Sequence, residues 1–160
     1  MRQLERVQVR PATLRDLPYL VEAWGELARY HERFDPGFAL SRGWRQSYAA
    51  YVSSLLGRED VCVVVAWGPG ELAGMAVGRT MLAPPFFRYR RRGYIQDVYT
   101  REPYRRQGIA RRMVERLEAW LRAQGVRRVE LTVAPQNPTA LAFWERMGYR
   151  PYLQVFSKAL

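Results

Sequence analysis

The residues best placed by type and spacing to do chemistry lie between Asp97 and Arg112, in the run Asp97-Val-Tyr-Thr-Arg-Glu-Pro-Tyr-Arg-Arg-Gln-Gly-Ile-Ala-Arg-Arg112. The run reads as a strand passing through a short loop into a helix. A helix N-terminus presents backbone N–H groups with no intrahelical acceptor, and its dipole end is positive. Gly108 and Ala110 add almost no side chain, so a large anion can come close to the main chain there. Arg105, Arg106, Arg111 and Arg112 crowd the same end. Cations in a first turn oppose the macrodipole by roughly 0.3–1 kcal/mol each when exposed, and a merely structural helix would sooner carry Asp or Glu. A diphosphate at that end would give the arginines a purpose. Taken alone, Arg105-x-x-Gly108-x-Ala110 fits equally well a solvated helix start in an arginine-rich chain. The sequence contains no G-x-x-x-x-G-K-[ST] phosphate loop and no G-x-G-x-x-G dinucleotide fingerprint.

Tyr104-Arg-Arg-Gln-Gly-Ile-Ala110 resembles the Q/R-x-x-G-x-G/A signature of the GNAT family of N-acetyltransferases. Val9-Arg-Pro-Ala-Thr13 with Asp16-Leu17 looks like that family's first strand and helix. Asn137-x-x-Ala140-x-x-Phe143-Trp144-x-x-x-Gly148-Tyr149 looks like its C-terminal element. The resemblance implies an acetyl-CoA-dependent transferase acting by direct attack of a neutral amine, without an acyl-enzyme, so no Ser/His/Asp or Cys/His constellation is required. It implies that Val98, Tyr99 and Thr100 lie on a splayed strand whose free backbone groups bind the pantetheine arm. The Val98 amide would then face the thioester oxygen as an oxyanion donor. It further implies that the amides of Arg106, Gln107, Gly108, Ile109 and Ala110, with Arg105 at the loop's start, hold the pyrophosphate. Asn137 would reach the pantetheine and Phe143 would pack beside it.

Two positions depart from the family's pattern. Trp144 stands where the family usually has a tyrosine that protonates the departing thiolate; an indole N–H donates a hydrogen bond but is no acid near neutral pH. Tyr99, Tyr104, Tyr149 and Tyr152 are the local substitutes, or the thiolate leaves unaided. Gln96 stands where similar amine acetyltransferases carry a glutamate base. That leaves Asp97 to attract a cationic amine or accept its proton, against the alternative of a carboxylate satisfied at the strand's edge. Asn137 before Pro138 is also an ordinary helix cap. His31, the only histidine, reads as a surface residue near the acceptor side. Arg88-Tyr-Arg-Arg-Arg92 reads as a solvated loop or a subunit contact.

These residues need a scaffold. Arg6 to Arg10 alternates as a strand, and Leu17, Leu20, Val21, Trp24, Leu27 and Ala28 recur at helical spacing, with a helix start near Thr13 to Asp16. A turn at Phe34–Phe38 precedes a second helix from about Ser41 to Leu56. Val61–Trp67 and Leu72–Leu82 form a hairpin, the loop Ala83–Gly93 follows, and Tyr94–Thr100 is the next strand. Gln107–Gln124 has the clearest apolar stripe, through Ile109, Met113, Leu117 and Leu121, and Gly125 ends it. Arg128–Ala134 alternates, Asn137 opens a short helix, and Tyr149–Phe156 reads as a last strand. The order β-α-α-β-β-β-α-β-α-β predicts an α/β (α+β) fold: a GNAT-like, mostly antiparallel mixed sheet flanked by about four helices, in one domain over 1–160.

Composition narrows the remaining classes. The 160 residues are 48% apolar and 13% aromatic, a folding composition. Formal charge is +11, and Lys158 is the only lysine. Such a field draws anions, whether nucleic acid, an acidic surface or a polyphosphate co-substrate. No nucleic-acid signature accompanies it, so a basic nucleic-acid-binding domain ranks below the transferase and below an acetyl-CoA-binding sensor of the same fold. Met1–Val7 carries no apolar signal core, and no apolar run is long enough to span a bilayer. The lone Cys62 excludes an internal disulfide and a Cys-based zinc site; no metal is expected. The expected setting is cytoplasmic, the expected acceptor a small-molecule or peptide amine. Exposed strands and an aromatic C-terminal region suit a homodimer.

Overall fold

The computed structural model describes residues 7–160; residues 1–6, which begin both the segment read for a signal and, at Arg6, the first expected strand, lie outside them. Five strands form one sheet in the order β1 (Gln8–Pro11), β2 (Val61–Trp67), β3 (Leu72–Leu82), β4 (Arg91–Thr100) and β5 (Val129–Glu130). The first four are antiparallel neighbours; β5 runs parallel to β4. Four helices cover the sheet: α1 (Leu17–Glu32), α2 (Trp44–Leu55), α3 (Ile109–Ala123) and α4 (Pro138–Arg146).

Alternation in β2 explains why both faces of the sheet are covered. Val63 and Val65 face α1 and α2, where Leu20, Tyr48, Val52 and Met75 join them. Val64 and Ala66 face the other way, against Ile109, Met113 and Leu117 of α3. The near-continuous apolar run Val61–Trp67 is what a strand buried on both sides requires.

Local chemistry sets the helix ends. Pro18 sits in the first turn of α1, and Thr13 and Asp16 form a capping box just before it. Gly43 adopts φ 78°, so α2 begins at Trp44 and not at Ser41. Gly25, in the middle of α1, makes room for Trp44: a Cβ there would lie 2.1 Å from the indole.

Two expectations shrink or fail. The strand expected over Arg128–Ala134 holds a ladder only at Val129–Glu130, because β5 diverges from β4 beyond Tyr94 and leaves the next residues nothing to pair with. The strand expected over Tyr149–Phe156 is absent, and its side chains from Arg150 onward are exposed. Strand propensity expresses itself only against a partner edge, and the described residues bring none to this segment.

Candidate active site

A bulge in β4 decides which way Asp97 points. Ile95 pairs with Gly78 and Asp97 pairs with Val77, which leaves Gln96 as an extra residue without a partner on β3. In a regular strand residues 95 and 97 would share a face. The inserted residue breaks that parity: Ile95 packs into the α3-side core, while Asp97 is opposite Val77 on the α1/α2 side. There Tyr51 Oη donates to Gln96 Oε1 at 3.2 Å, and Gln96 Nε2 donates to Asp97 Oδ2 at 3.1 Å. Trp24, stacked 4.1 Å from Tyr48, borders the carboxylate. Burial pushes Asp97 up to about 6, while Gln96, Trp24 and the nearby Arg79 guanidinium restrain the rise. Arg79 Nε is itself buried and has no hydrogen-bond partner among the described residues.

The divergence of β5 from β4 frees one edge of β4. Arg101 donates to the Ala73 carbonyl across on β3, so strand alternation turns the backbone groups of Val98 and Thr100 toward the opening. Arg105 Nε donates to the Thr100 carbonyl at 3.0 Å, and Thr100 Oγ1 is buried with no hydrogen-bond partner among the described residues.

The loop that follows is shaped by two left-handed residues, Arg106 at φ 58° and Gly108 at φ 74°. A non-glycine residue in that region is uncommon. Beyond Arg105, whose amide donates to Glu102, no amide from Arg106 to Ala110 donates to a carbonyl among the described residues. A Cβ on Gly108 would meet nothing within 4 Å. Consecutive amides around left-handed residues, leading into a helix N-terminus, form an anion-binding concavity. Beside it lies a cleft of about 740 Å³ between α1 and the loop, where Arg29, Arg33, Arg101 and Arg105 outnumber Glu26 and Glu102. Arg105 lies over both Tyr30 and Tyr99, 5.9 and 5.8 Å from their rings.

Around this opening the other expected residues fall into two groups. Asn137 is buried and caps α4 by accepting from the Ala140 amide at 3.1 Å; it also accepts from Tyr30 Oη at 3.4 Å, which ties α4 to α1. Phe143 and Trp144 meet edge-to-face at 5.0 Å, and Trp144 meets Tyr149 the same way. The tyrosines that could replace a thiolate acid are engaged elsewhere. Tyr99 donates to Glu26, Tyr104 to Glu71 and Tyr149 to Glu118. Burial first and then Glu118 push Tyr149 up; burial and Glu26 do the same to Tyr99; for Tyr104 the bond to Glu71 is the leading cause. Tyr152 stacks on Arg128. His31 is half-buried, and burial lowers its pKa. Among the described residues no group of three or more His, Cys, Asp or Glu gathers to hold a metal.

Residues 21–149 match the acetyltransferase (GNAT) family. The chain belongs to that family. Among curated relatives, the L-ornithine N5-acetyltransferase NATA1 of Arabidopsis thaliana is 38% identical over 64 residues, which is 40% of this chain and 28% of that protein. The uncharacterized N-acetyltransferase YycN of Bacillus subtilis is 34% identical over 67 residues, 42% of this chain and 43% of that protein. The aligned part is thus less than half of either relative. In fold, the chain is similar to the BH1408 protein of Bacillus halodurans, with TM-score 0.84 and 22% identity over 96% of this chain and 99% of that one. It is also similar to a predicted acetyltransferase of Clostridium acetobutylicum solved with acetyl-CoA, with TM-score 0.74, 19% identity and 96% coverage of both chains. An aminoglycoside acetyltransferase from a soil metagenomic sample, solved with sisomicin, matches at TM-score 0.72 and 16% identity, over 98% of this chain and 97% of its own.

Proposed function

We propose that this chain moves an acetyl group from acetyl-CoA to a primary amine by direct attack of the amine on the thioester. The carrying observation is the run of amides from Arg106 to Ala110, which donate to no carbonyl among the described residues around the left-handed Arg106 and Gly108. In this reading they hold the diphosphate of the co-substrate, with Arg105 swinging from the Thr100 carbonyl to join them. Val98 and Thr100, on the edge that β5 vacates, take the pantetheine arm, with Tyr99 between them, and Thr100 Oγ1 gains a partner. Asn137 and Phe143 border the arm from α4. The thioester supplies the electrophile; the Val98 N–H stabilises the charge that develops on its oxygen.

Asp97 receives the proton of the amine. With a pKa of about 6 it is ionised at neutral pH yet more basic than an ordinary carboxylate. Gln96 cannot take a proton; it orients Asp97, and Tyr51 orients Gln96. The thiolate departs without help from Tyr99, Tyr104 or Tyr149, each committed to a glutamate. The relatives named for L-ornithine and for aminoglycosides support a small-molecule amine as acceptor. The chain acts as a single domain and a homodimer, and the lone unpaired Cys62 suits a reducing compartment such as the cytoplasm.

Calorimetric titration with acetyl-CoA, followed by thiol release against a panel of amines at saturating acetyl-CoA, tests the reading. Binding on the order of micromolar and turnover with at least one amine are expected; absence of binding overturns it. The engaged tyrosines favour one second reading, an acetyl-CoA sensor, which binding without turnover would select.

A further inference from the structure

One stretch of this chain carries cations with no anions among them. Between Glu71 and Asp97 there is no Asp or Glu, while Arg79, Arg88, Arg90, Arg91 and Arg92 all fall there. Its middle is the connection from β3 to β4, and the acyl-transfer reading makes no use of it. The ladder places this connection past the end of the sheet. β2 pairs with β3 only as far as Arg79, and β5 pairs with β4 only at Gly93 and Tyr94. The pairs of Met81 with Arg92 and of Leu82 with Arg91 therefore stand beyond both neighbouring strands. The turn at the end is held in one shape. The Ala83 amide donates to the Arg90 carbonyl at 2.7 Å, Arg90 Nε donates back to the Ala83 carbonyl at 3.2 Å, and the Phe87 amide donates to the Pro84 carbonyl at 3.1 Å. Pro84 and Pro85 fix two φ angles within it.

What this turn holds out is apolar. Phe86 is 80% exposed, Leu82 68% and Phe87 48%, and the two phenylalanine rings lie 4.9 Å apart. Side chains of this kind normally leave water, and a cluster of them kept in it marks a contact surface. Guanidinium groups surround the cluster. Arg91 donates to the Gln124 carbonyl at 2.6 Å and the Gly93 amide to the Arg128 carbonyl at 2.8 Å, which sets the hairpin beside Arg127, just past the end of α3. Glu130 takes up Arg92 and Arg128. Arg88, Arg90 and Arg127 are exposed and have no carboxylate partner among the described residues.

An exposed apolar apex with unpaired guanidinium groups around it combines the two signals that hold a protein on an anionic bilayer: apolar side chains for the headgroup–acyl boundary and cations for lipid phosphates. A guanidinium meets a phosphate through two parallel N–H bonds. We propose that the β3–β4 hairpin docks the protein on an anionic phospholipid surface, with Leu82 and Phe86 entering the headgroup–acyl boundary and Arg88, Arg90 and Arg127 meeting lipid phosphates. A folded protein partner fits less well. A standard interface takes about 800 Å² of complementary surface from each side, and a convex turn offers only its end, whereas fluid lipid needs no matching shape. A nucleic acid would meet the arginines but leave Met81 and Leu82 in water. The hairpin stands at the start of β4 and beside the end of α3, whereas Val98–Thr100 and the amides of Arg106–Ala110 lie at the opposite ends of the same two elements. The ten residues of β4 separate them by about 30 Å. A docked molecule keeps the co-substrate opening in solvent, and the inference does not rest on the acyl-transfer reading.

The test is cosedimentation of the full chain with vesicles of phosphatidylcholine alone and of phosphatidylcholine mixed with phosphatidylglycerol, beside two double variants. Leu82→Ser with Phe86→Ser removes the apolar apex and keeps the net charge; Arg88→Gln with Arg127→Gln removes two unpaired cations. All four positions are exposed, and circular dichroism with an acetyl-CoA titration verifies that fold and co-substrate affinity are unchanged. Expected are binding of the wild type to the mixed vesicles only, weakened by salt, and a loss of about tenfold or more in lipid affinity for each variant. A wild type that ignores the mixed vesicles overturns the proposal. Undiminished binding by the Leu82/Phe86 variant does so equally, because adsorption of a +11 chain by charge alone would survive that change. Single-stranded RNA forms the other arm: RNA binding lost in both variants, with no vesicle binding by the wild type, would assign the hairpin to nucleic acid instead. Absence of acetyl-CoA binding in all three proteins would count against the acyl-transfer reading and leave the lipid result standing.

Discussion

Gln96 Nε2 donates to Asp97 Oδ2 across 3.1 Å, and this short contact exists only because Gln96 is the extra residue of a bulge. The bulge turns the carboxylate to the α1/α2 side, and Gln96, held by Tyr51, keeps it oriented. Burial raises Asp97 to about 6, and the Gln96 bond limits that rise by favouring the ionised form. The rate of acetyl transfer should therefore climb with pH through a midpoint near 6. Gln96→Ala should move the midpoint upward, and Asp97→Asn should lower the rate by about 10²-fold or more and abolish that limb. A pH–rate profile of kcat/KM for the three proteins checks this. An unshifted midpoint in Gln96→Ala would remove Gln96 from the site.

The same carboxyl makes a stability prediction of opposite tendency. Its folded pKa of about 6 exceeds the ordinary value of about 4, so between those pH values the folded protein binds more protons than the unfolded chain. Stability must then fall as pH rises through that window. Asp97→Asn removes the effect and should stabilise the protein above pH about 6 by up to about 2–3 kcal/mol, with little change below pH about 4. Thermal melts of both proteins at acid and neutral pH measure it. A variant that gains stability while losing activity separates a working carboxylate from one kept for structure.

Gly108 distinguishes backbone strain from ligand clash. At φ 74°, alanine costs roughly 1–2 kcal/mol from conformation alone, since space is open around the Cβ. Glutamate carries the same strain and adds a negative charge where the diphosphate would lie. Gly108→Ala should weaken acetyl-CoA binding modestly, about tenfold at most, and Gly108→Glu should abolish it, with similar melting temperatures for both. Calorimetry decides; equal affinities in the two variants would move the anion site elsewhere.

Much of this arrangement could be read from residue order. The stripe Ile109, Met113, Leu117 and Leu121 is the buried face of α3, and the alternation in β2 reflects a sheet covered on both sides. Asn137-Pro138 was legible as a cap because capping is local chemistry. What sequence could not give is register. That Gln96 is bulged depends on how β4 aligns with β3, and that Tyr51 reaches Gln96 depends on how α2 lies over the sheet. Arg29 near the end of α1 and Arg33 at its C-cap, four residues apart, frame the cleft beside the loop, yet their spacing alone does not say which loop they face. The strand expected over Tyr149–Phe156 fails for the converse reason. Leu153, Val155 and Phe156 have the right composition, but a strand needs an edge, and the described residues bring none to that segment.

Gly25 tests the packing of the α1/α2 layer. A methyl group there would lie 2.1 Å from the Trp44 indole, which stands against Trp24 at 6.0 Å, and Trp24 in turn stacks on Tyr48. Alanine is the better helix former, by roughly 0.8–1 kcal/mol, so a helix-only view predicts stabilisation. Displacing a packed indole typically costs about 1–3 kcal/mol and more than cancels that gain. Gly25→Ala should therefore lower the melting temperature and change the near-UV circular dichroism of the tryptophans. A higher melting temperature with an unchanged spectrum would show that Trp44 yields freely.

Asp16 anchors the entrance to α1, and its pH dependence runs opposite to that of Asp97. The side chain is 1% exposed, and burial alone would raise its pKa. Arg10 grips both oxygens at 2.8 Å, the Thr13 amide donates at 2.7 Å, and Trp67 Nε1 donates at 2.8 Å. Together these bonds outweigh burial and hold the carboxyl well below the usual carboxylate range. A depressed folded pKa contributes stability that is present above the unfolded value of about 4 and is lost as pH falls below it. Asp16→Ala leaves Arg10 and the Trp67 N–H without their shared acceptor and should cost about 3–5 kcal/mol at neutral pH. The loss should shrink steadily on acidification, because the wild type forfeits the same interaction as the carboxyl protonates. Denaturant titrations of both proteins at pH 7 and at successively lower pH follow the gap; one that stays constant with pH would place the cost in lost packing, not in the charge.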